Sequence, residues 1–302
     1  MRRIDGSQLK PGMYIEAIEG SDVNSALPRA RFLLKTISEV EQLRQCGANH
    51  FIINLSKGLG AGPSPDTRIE QEILAAQAVI SGSTTILKNV FDGLLNGGSI
   101  DTKEIQPVVS MVSRSLDENP SVLLNVSRLK SKDEVTFQHS ISVSTLMVLF
   151  SRHLGFNDDK VEEIGVAGIL HDIGKLEIDD NVLNKAGKLN NEEVELIRSH
   201  PQRGYDILLR QKGVSEMILD VCLNHHEKID GTGYPNHISQ KKISPYARLA
   251  AICDVYDAVT TVRPYKVPWT PTQALKWMLG TTGHFDQKLL KKFVICMSTV
   301  LR

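Results

Sequence analysis

The spacing of apolar residues changes character near residue 66. Before it, short runs dominate. Leu9-Lys10-Pro11-Gly12-Met13-Tyr14-Ile15 reads as a turn leading into a strand, and Arg31 to Leu34 and Phe51 to Leu55 read as further strands. Ile37, Val40 and Leu43 recur at helical spacing and predict one helix over 37–46. Together these elements predict a small α+β unit over residues 1–65, its last ten residues a Gly-, Pro- and Ser-rich linker.

From Asp66, a good N-cap, the period is close to 3.6. Ile69, Ile73, Val79, Ile80, Leu87, Val90, Phe91 and Leu94 hold it until Asn96-Gly97-Gly98 stops the helix. Asp101 to Glu104 resembles a capping box ahead of a second helix, and Pro120 opens a short third one. This stretch, 66–124, is a helical connector. Helices are then predicted over 133–153, 158–172, 191–199, 202–212, 214–226, 245–261, 271–279 and 286–300, with no strand among them. The predicted fold class is therefore mainly α: a helical domain over 125–302 preceded by a small α+β domain. The long polar and Gly-rich stretches 173–190 and 227–244 are where such a domain carries function.

Composition narrows the class. A chain of 302 residues, 41% hydrophobic and 23% charged, buries a core of its own and is neither disordered nor fibrous. Lys plus Arg and Asp plus Glu both number 35, so nothing favours a nucleic-acid polymer as ligand, although a local anion pocket is allowed. No apolar run is long enough for a membrane span, and the start lacks a signal peptide's apolar stretch, which predicts a cytoplasmic protein. Cys46, Cys222, Cys253 and Cys296 form no CxxC pair and read as free buried thiols.

The candidate chemistry lies in the histidines. Five of nine fall among metal-type ligands: His139, His171 beside Asp172, His200, and His225 beside His226. Asp254 sits inside an apolar helix. Neighbours on a helix point about 100° apart, so an adjacent pair cannot easily crowd one tetrahedral ion, but can face two ions or straddle them through a carboxylate. Imidazole and carboxylate suit Fe, Mn, Zn or Ni, and the missing thiolates argue against a structural zinc site. Two ions about 3.5–4 Å apart clamp the attacking and leaving oxygens of a phosphoryl displacement. A lone histidine is more often a surface or satisfied core residue, and His50, His153, His237 and His284 keep that reading. Asp172 and Asp254 lie in strongly apolar segments, where an unpaired carboxylate is costly. A metal accounts for them better than an unseen arginine, with an ion pair as the open alternative.

His171-Asp172-Ile173-Gly174-Lys175 and the segment from His225-His226-Glu227 through Asp230-Gly231-Thr232-Gly233-Tyr234-Pro235 together resemble the HD-GYP domain, a subfamily of the HD phosphohydrolases that hydrolyses cyclic dinucleotides in bacteria. The segment from Ala250 through Asp254 and Asp257 to Arg263-Pro264-Tyr265-Lys266 is similar to that family's third block. The resemblance covers roughly 125–295. Residues 1–60 are similar to a small uncharacterised N-terminal domain often fused ahead of it.

The resemblance implies an all-α HD-type catalytic domain and two divalent metal ions, Fe or Mn. The implied metal ligands are His139, His171, Asp172, His200, His225, His226 and Asp254, with Asp172 as the bridge. It implies that Asp172 and Lys175 are catalytic, and that Lys175, Tyr234, Arg263 and Lys266 meet the substrate. The implied reaction is hydrolysis of a cyclic dinucleotide, cyclic di-GMP first, to linear pGpG, with onward cleavage to GMP left open. Diguanylate cyclase domains are implied partners through the GYP loop. The rival reading is a non-catalytic sensor or docking module, which a degenerate ligand set would favour; here all seven ligands and Lys175 are present. Two departures stand out. Val135 occupies the place, four before His139, where some relatives carry a Glu for a third metal, and Val262 replaces an acidic residue before Arg263.

Overall fold

The computed structural model describes residues 1–20, 31–55, 57–58, 65–130, 135–183, 185, 187–261 and 268–301. It divides into two compact units, Met1–Gln71 and Glu72–Arg302.

In the first unit four strands, β1 (Arg2–Ile4), β2 (Tyr14–Glu19), β3 (Phe32–Leu33) and β4 (His50–Ile53), form an antiparallel sheet in the order β1-β4-β2-β3. Helix α1 (Ile37–Arg44) starts at Thr36, whose hydroxyl and the Glu39 side chain make a reciprocal capping box. Ile4, Ile15, Phe51 and Ile53 from the strands and Val40 and Leu43 from α1 bury a common core with Leu9 and Met13. Strand β1 departs from expectation: Arg2 and Arg3 are exposed and only Ile4 points inward, so the segment carries no alternation to read.

The second unit is helical. Helix α2 (Pro65–Leu95), whose first residues belong to the first unit, ends before Asn96, and the side chains of residues 65–68 lie outside the description. Asp101 caps a 3-10 turn over Thr102–Glu104 rather than a helix, and α3 (Gln106–Glu118) follows it without a side-chain cap. Then come α4 (Pro120–Ser127), α5 (Val135–His153), α6 (Asp158–Leu170), α7 (Asp180–Leu183), α8 (Asn191–Arg198), α9 (His200–Leu208), α10 (Glu216–Asn224), α11 (Pro245–Thr260), α12 (Pro271–Gly280) and α13 (Gln287–Val300). Short α7 and 3-10 turns at Ile173–Glu177 and Gln240–Lys242 occupy stretches expected to be loops.

Helices α5 and α6 lie side by side at the centre, with α3, α10 and α11 packed around them. Their apolar faces make one core, which includes Ile141, Met147, Phe150, Ile164, Ile169, Leu249 and Ile252. Phe293 of α13 meets Phe150 edge-on at 5.1 Å and Tyr256 at 5.3 Å, which ties α13 to α5 and α11. All four cysteines are buried free thiols. No helix among the described residues is long and apolar enough to cross a membrane.

Candidate metal centre

The clustered side chains come mostly from helix ends. Helix α6 stops at Leu170, so His171 is its C-cap and Asp172 leads into the following 3-10 turn. His200 opens α9, His225 caps α10, and His226 follows it. Sequence reasoning carried α6 and α10 through these residues. The correction is physical: apolar periodicity continues to the metal-type residues, but it does not show where the backbone leaves the helix. His139 and Asp254 sit within α5 and α11 as expected.

Gly174 brings two of these segments together. A Cβ there would stand 2.0 Å from the His200 carbonyl oxygen and 2.4 Å from the Gly204 amide nitrogen. Only a residue without a side chain lets the turn after Asp172 lie against the start of α9.

The donors form two groups, Asp172, His200, His225 and His226 in one, and His139, His171 and Asp254 in the other; within each, the ligand atoms lie within 4.8 Å of one another. Asp172 faces both. Its Oδ1 is 3.1 Å from His200 Nε2 and 3.7 Å from His225 Nε2. Its Oδ2 is 3.4 Å from His171 Nε2 and 3.5 Å from His139 Nε2, and also accepts a short hydrogen bond from Lys175. Asp254 reaches His139 Nε2 with Oδ1 (3.0 Å) and stands 3.7 Å from His226 Nδ1 with Oδ2.

Hydrogen bonds on the outer ring nitrogens aim the inner ones. His171 Nδ1 donates to the Gly168 carbonyl (2.7 Å), His200 Nδ1 to Ile197 (2.7 Å) and His225 Nδ1 to Cys222 (2.9 Å). Each leaves Nε2 directed into the cluster, as metal-ligating histidines require. Inside, His171 Nε2 and Asp172 Oδ1 are buried with no hydrogen-bond partner. Orphaned buried polar atoms are rare and costly, and imidazole with carboxylate is a donor set for divalent cations. The residues fit such ions.

The electrostatics of the carboxylates and of two histidines agree, whereas at His139 burial is overcome by the Asp254 and Asp257 carboxylates, which raise it. Burial works to raise the Asp172 carboxyl, but Lys175 and His171 hold it well below its ordinary value. Burial likewise opposes ionisation of Asp254, and the hydrogen bond and charge of His139 together with the charges of His226 and His171 hold it well below its ordinary value. Burial pushes His200 down, and burial with the neighbouring His225 pushes His226 well down, which favours the neutral imidazoles that ligate.

Tyr234 stacks on His226 at 4.7 Å, with the Arg198 guanidinium over its ring. Its loop is folded tightly. Gly231 takes a positive φ (81°), whereas Gly233 does not and serves another purpose: a Cβ there would stand 2.3 Å from the Lys228 nitrogen. Glu227 is buried and accepts from the Asn236 N–H (2.7 Å), and the Ile229 and Asp230 N–H groups donate to His284 and Gly283. Arg263, Lys266 and the departure at Val262 lie outside the described residues, as does Glu134; of Val135 only its place at the start of α5 is described.

Sequence reasoning missed the surroundings of His139. Its Nδ1 donates to Asp257 (2.7 Å), which also pairs with Lys130 and accepts from Thr261 (3.2 Å). Asp257 lies three residues after Asp254 on α11, the same-face spacing that could have drawn attention to it.

A helical domain built round a His/Asp cluster at helix ends is the design of the HD phosphohydrolases, and residues 122–289 match the HD domain family. The chain belongs to that family and carries the HD-GYP sequence elements. Residues 1–105 match a domain of unknown function, DUF3391. The chain is 39% identical to the cyclic di-GMP phosphodiesterase PA4108 of Pseudomonas aeruginosa, over 97% of this chain and 76% of that protein. It is 36% identical to the cyclic di-GMP phosphodiesterase response regulator RpfG of Xanthomonas campestris, over 51% of this chain and 39% of that one. It is 34% identical to the 3'3'-cGAMP-specific phosphodiesterase 2 of Vibrio cholerae, over 56% and 32%. The fold is similar to that of Bd1817, an HDG"Y"P protein from Bdellovibrio bacteriovorus, with a TM-score of 0.61 at 17% identity over 98% of this chain and 99% of that one.

Proposed function

We propose that the chain is a metal-dependent phosphodiesterase that opens a cyclic dinucleotide, cyclic di-GMP first, to linear pGpG. The observation that carries this reading is the Asp172 carboxylate, which turns one oxygen to each of two histidine groups. The names of the relatives support the substrate class: two are cyclic di-GMP phosphodiesterases and one is specific for 3'3'-cGAMP. Two divalent ions, iron or manganese, fit a donor set of imidazole and carboxylate without thiolate.

His171, Asp254 and His139 would hold one ion and His200, His225 and His226 the other, with Asp172 between them. Such a pair supplies Lewis-acid charge neutralisation and lowers the pKa of water. The rest falls to the chain. Lys175 is tethered to Asp172 and partly exposed, so its ammonium stands at the cluster's edge, where it offsets phosphoryl charge and holds a proton for the leaving oxygen. Tyr234 forms an aromatic wall beside the substrate, and Arg263 and Lys266 bind phosphates and bases. The described contacts of the GYP loop, to His226, Arg198 and Gly283–His284, add no support for diguanylate cyclase domains as partners.

Cyclic di-GMP and 3'3'-cGAMP should each be offered to protein loaded with Mn(II) or with Fe(II), and the products separated by chromatography. Release of pGpG is the expected result. Binding without turnover would favour the sensor reading.

A further inference from the structure

His139 is oriented differently from the other three histidines that present Nε2 to the cluster. His171, His200 and His225 stand at helix ends, where carbonyls three residues back are free to accept their Nδ1–H. His139 lies inside α5, where the corresponding carbonyl already accepts a helical N–H. Its Nδ1–H donates instead to the side chain of Asp257, at 2.7 Å and 118 residues away.

Asp257 is itself held. Its side chain is 2% exposed, Lys130 pairs with it from a side chain 1% exposed, and the Thr261 hydroxyl donates to its other oxygen. Leu129 and Lys130 follow Arg128, which donates to the carbonyls of Thr260 and Trp269 at 3.3 Å each and so fixes this segment against the end of α11. Asp254 and Asp257 share one face of α11 and meet His139 from opposite sides of its ring, Asp254 at Nε2 and Asp257 at Nδ1.

We infer that Lys130 and Asp257 form a positioning pair that fixes the ring of His139 and keeps its Nε2 turned to the metal group it shares with His171 and Asp254. The inference rests on the two-ion reading above. Neither residue touches the cluster's interior; both act through His139. Partners of this kind typically change metal affinity 10–100-fold when removed.

The test is Mn(II) binding by equilibrium dialysis, with metal analysis, on the full chain and on Lys130→Met, Asp257→Asn and Lys130→Arg. Wild-type protein should bind two ions. Lys130→Met and Asp257→Asn should weaken one position about 10–100-fold and leave the other within a few-fold, and Lys130→Arg should restore the loss. Two ions bound with wild-type affinity by both Lys130→Met and Asp257→Asn would overturn the pair's role alone. No Mn(II) bound by folded wild type would overturn the two-ion reading with it. A second measurement needs no variant to fold. In zinc-loaded wild type, nitrogen-15 correlation spectra should show His139 protonated at Nδ1, with that proton protected from exchange. Protonation at Nε2, or an unprotonated Nδ1, would overturn the inference.

Discussion

Replacing Gly174 by Ala would separate the two segments that carry Asp172 and His200. The added Cβ meets the His200 carbonyl oxygen at 2.0 Å and the Gly204 nitrogen at 2.4 Å, and both are backbone atoms that cannot swing away. An ordinary contact begins at 3.4 Å, so the Ile173–Glu177 turn and the start of α9 must part by well over an ångström. Asp172 Oδ1 now lies 3.1 Å from His200 Nε2. Metal ligation tolerates displacements of only about 0.2 Å, and misplacement by about 1 Å costs on the order of 100-fold in rate. Overpacking of this kind also costs about 1–3 kcal/mol of stability. The variant should therefore lose most of its bound metal and at least about 100-fold of its hydrolysis, while circular dichroism still reports a helical protein with a lowered melting temperature. Metal content and turnover within a few-fold of wild type would refute the claim that this contact sets the geometry of the centre.

Other perturbations follow from the same geometry. Asp172→Ala should abolish hydrolysis and sharply reduce metal content, because one carboxylate faces both groups; near-normal activity would remove it from the bridging role. Arg263→Ala should raise KM more than it lowers kcat if its contacts are equal in ground and transition states; a pure fall in kcat would assign it to transition-state charge instead. Metal analysis should find two ions per chain and not three, since Val135 has no lone pair to offer, and Val135→Glu is the substitution to install a third. His284 is pushed down to about 4, chiefly by burial and further by Lys228. A lowered folded value means the unfolded chain binds the proton more readily, so its contribution is full above about pH 6.5 and is lost as pH falls toward 4. Allowing for its partial exposure, about 1–2 kcal/mol is at stake, and urea titrations of His284→Gln should show a flatter stability profile across that window. An unchanged profile would dismiss the effect.

Much of this was legible in the sequence because it rests on local pattern. The 3.6 period over the second unit and the short strands before it follow from which faces are buried. The seven metal-type residues stood out by chemistry, since so many histidines and carboxylates in apolar segments are hard to explain one by one. What escaped depended on tertiary approach. That the turn carrying Asp172 lies against the start of α9 rests on Gly174, a contact no local window contains. Lys130 and Asp257 are separated by 127 residues, and alone each reads as an ordinary charge. Strand β1 escaped for the opposite reason: two exposed arginines and a single inward Ile4 leave no alternation.

If Asp172 joins two metal positions into one hydrolytic centre, metal and turnover should be lost together when it is removed. The most direct test measures metal stoichiometry and cyclic di-GMP turnover on the same sample of purified protein, loaded with Mn(II) or with Fe(II), beside Asp172→Ala. Wild type should carry two ions per chain and release pGpG, with both lost in the variant. Protein that carries two ions yet turns over neither cyclic di-GMP nor 3'3'-cGAMP, or a variant that keeps both ions and its turnover, would contradict a hydrolytic centre joined by Asp172.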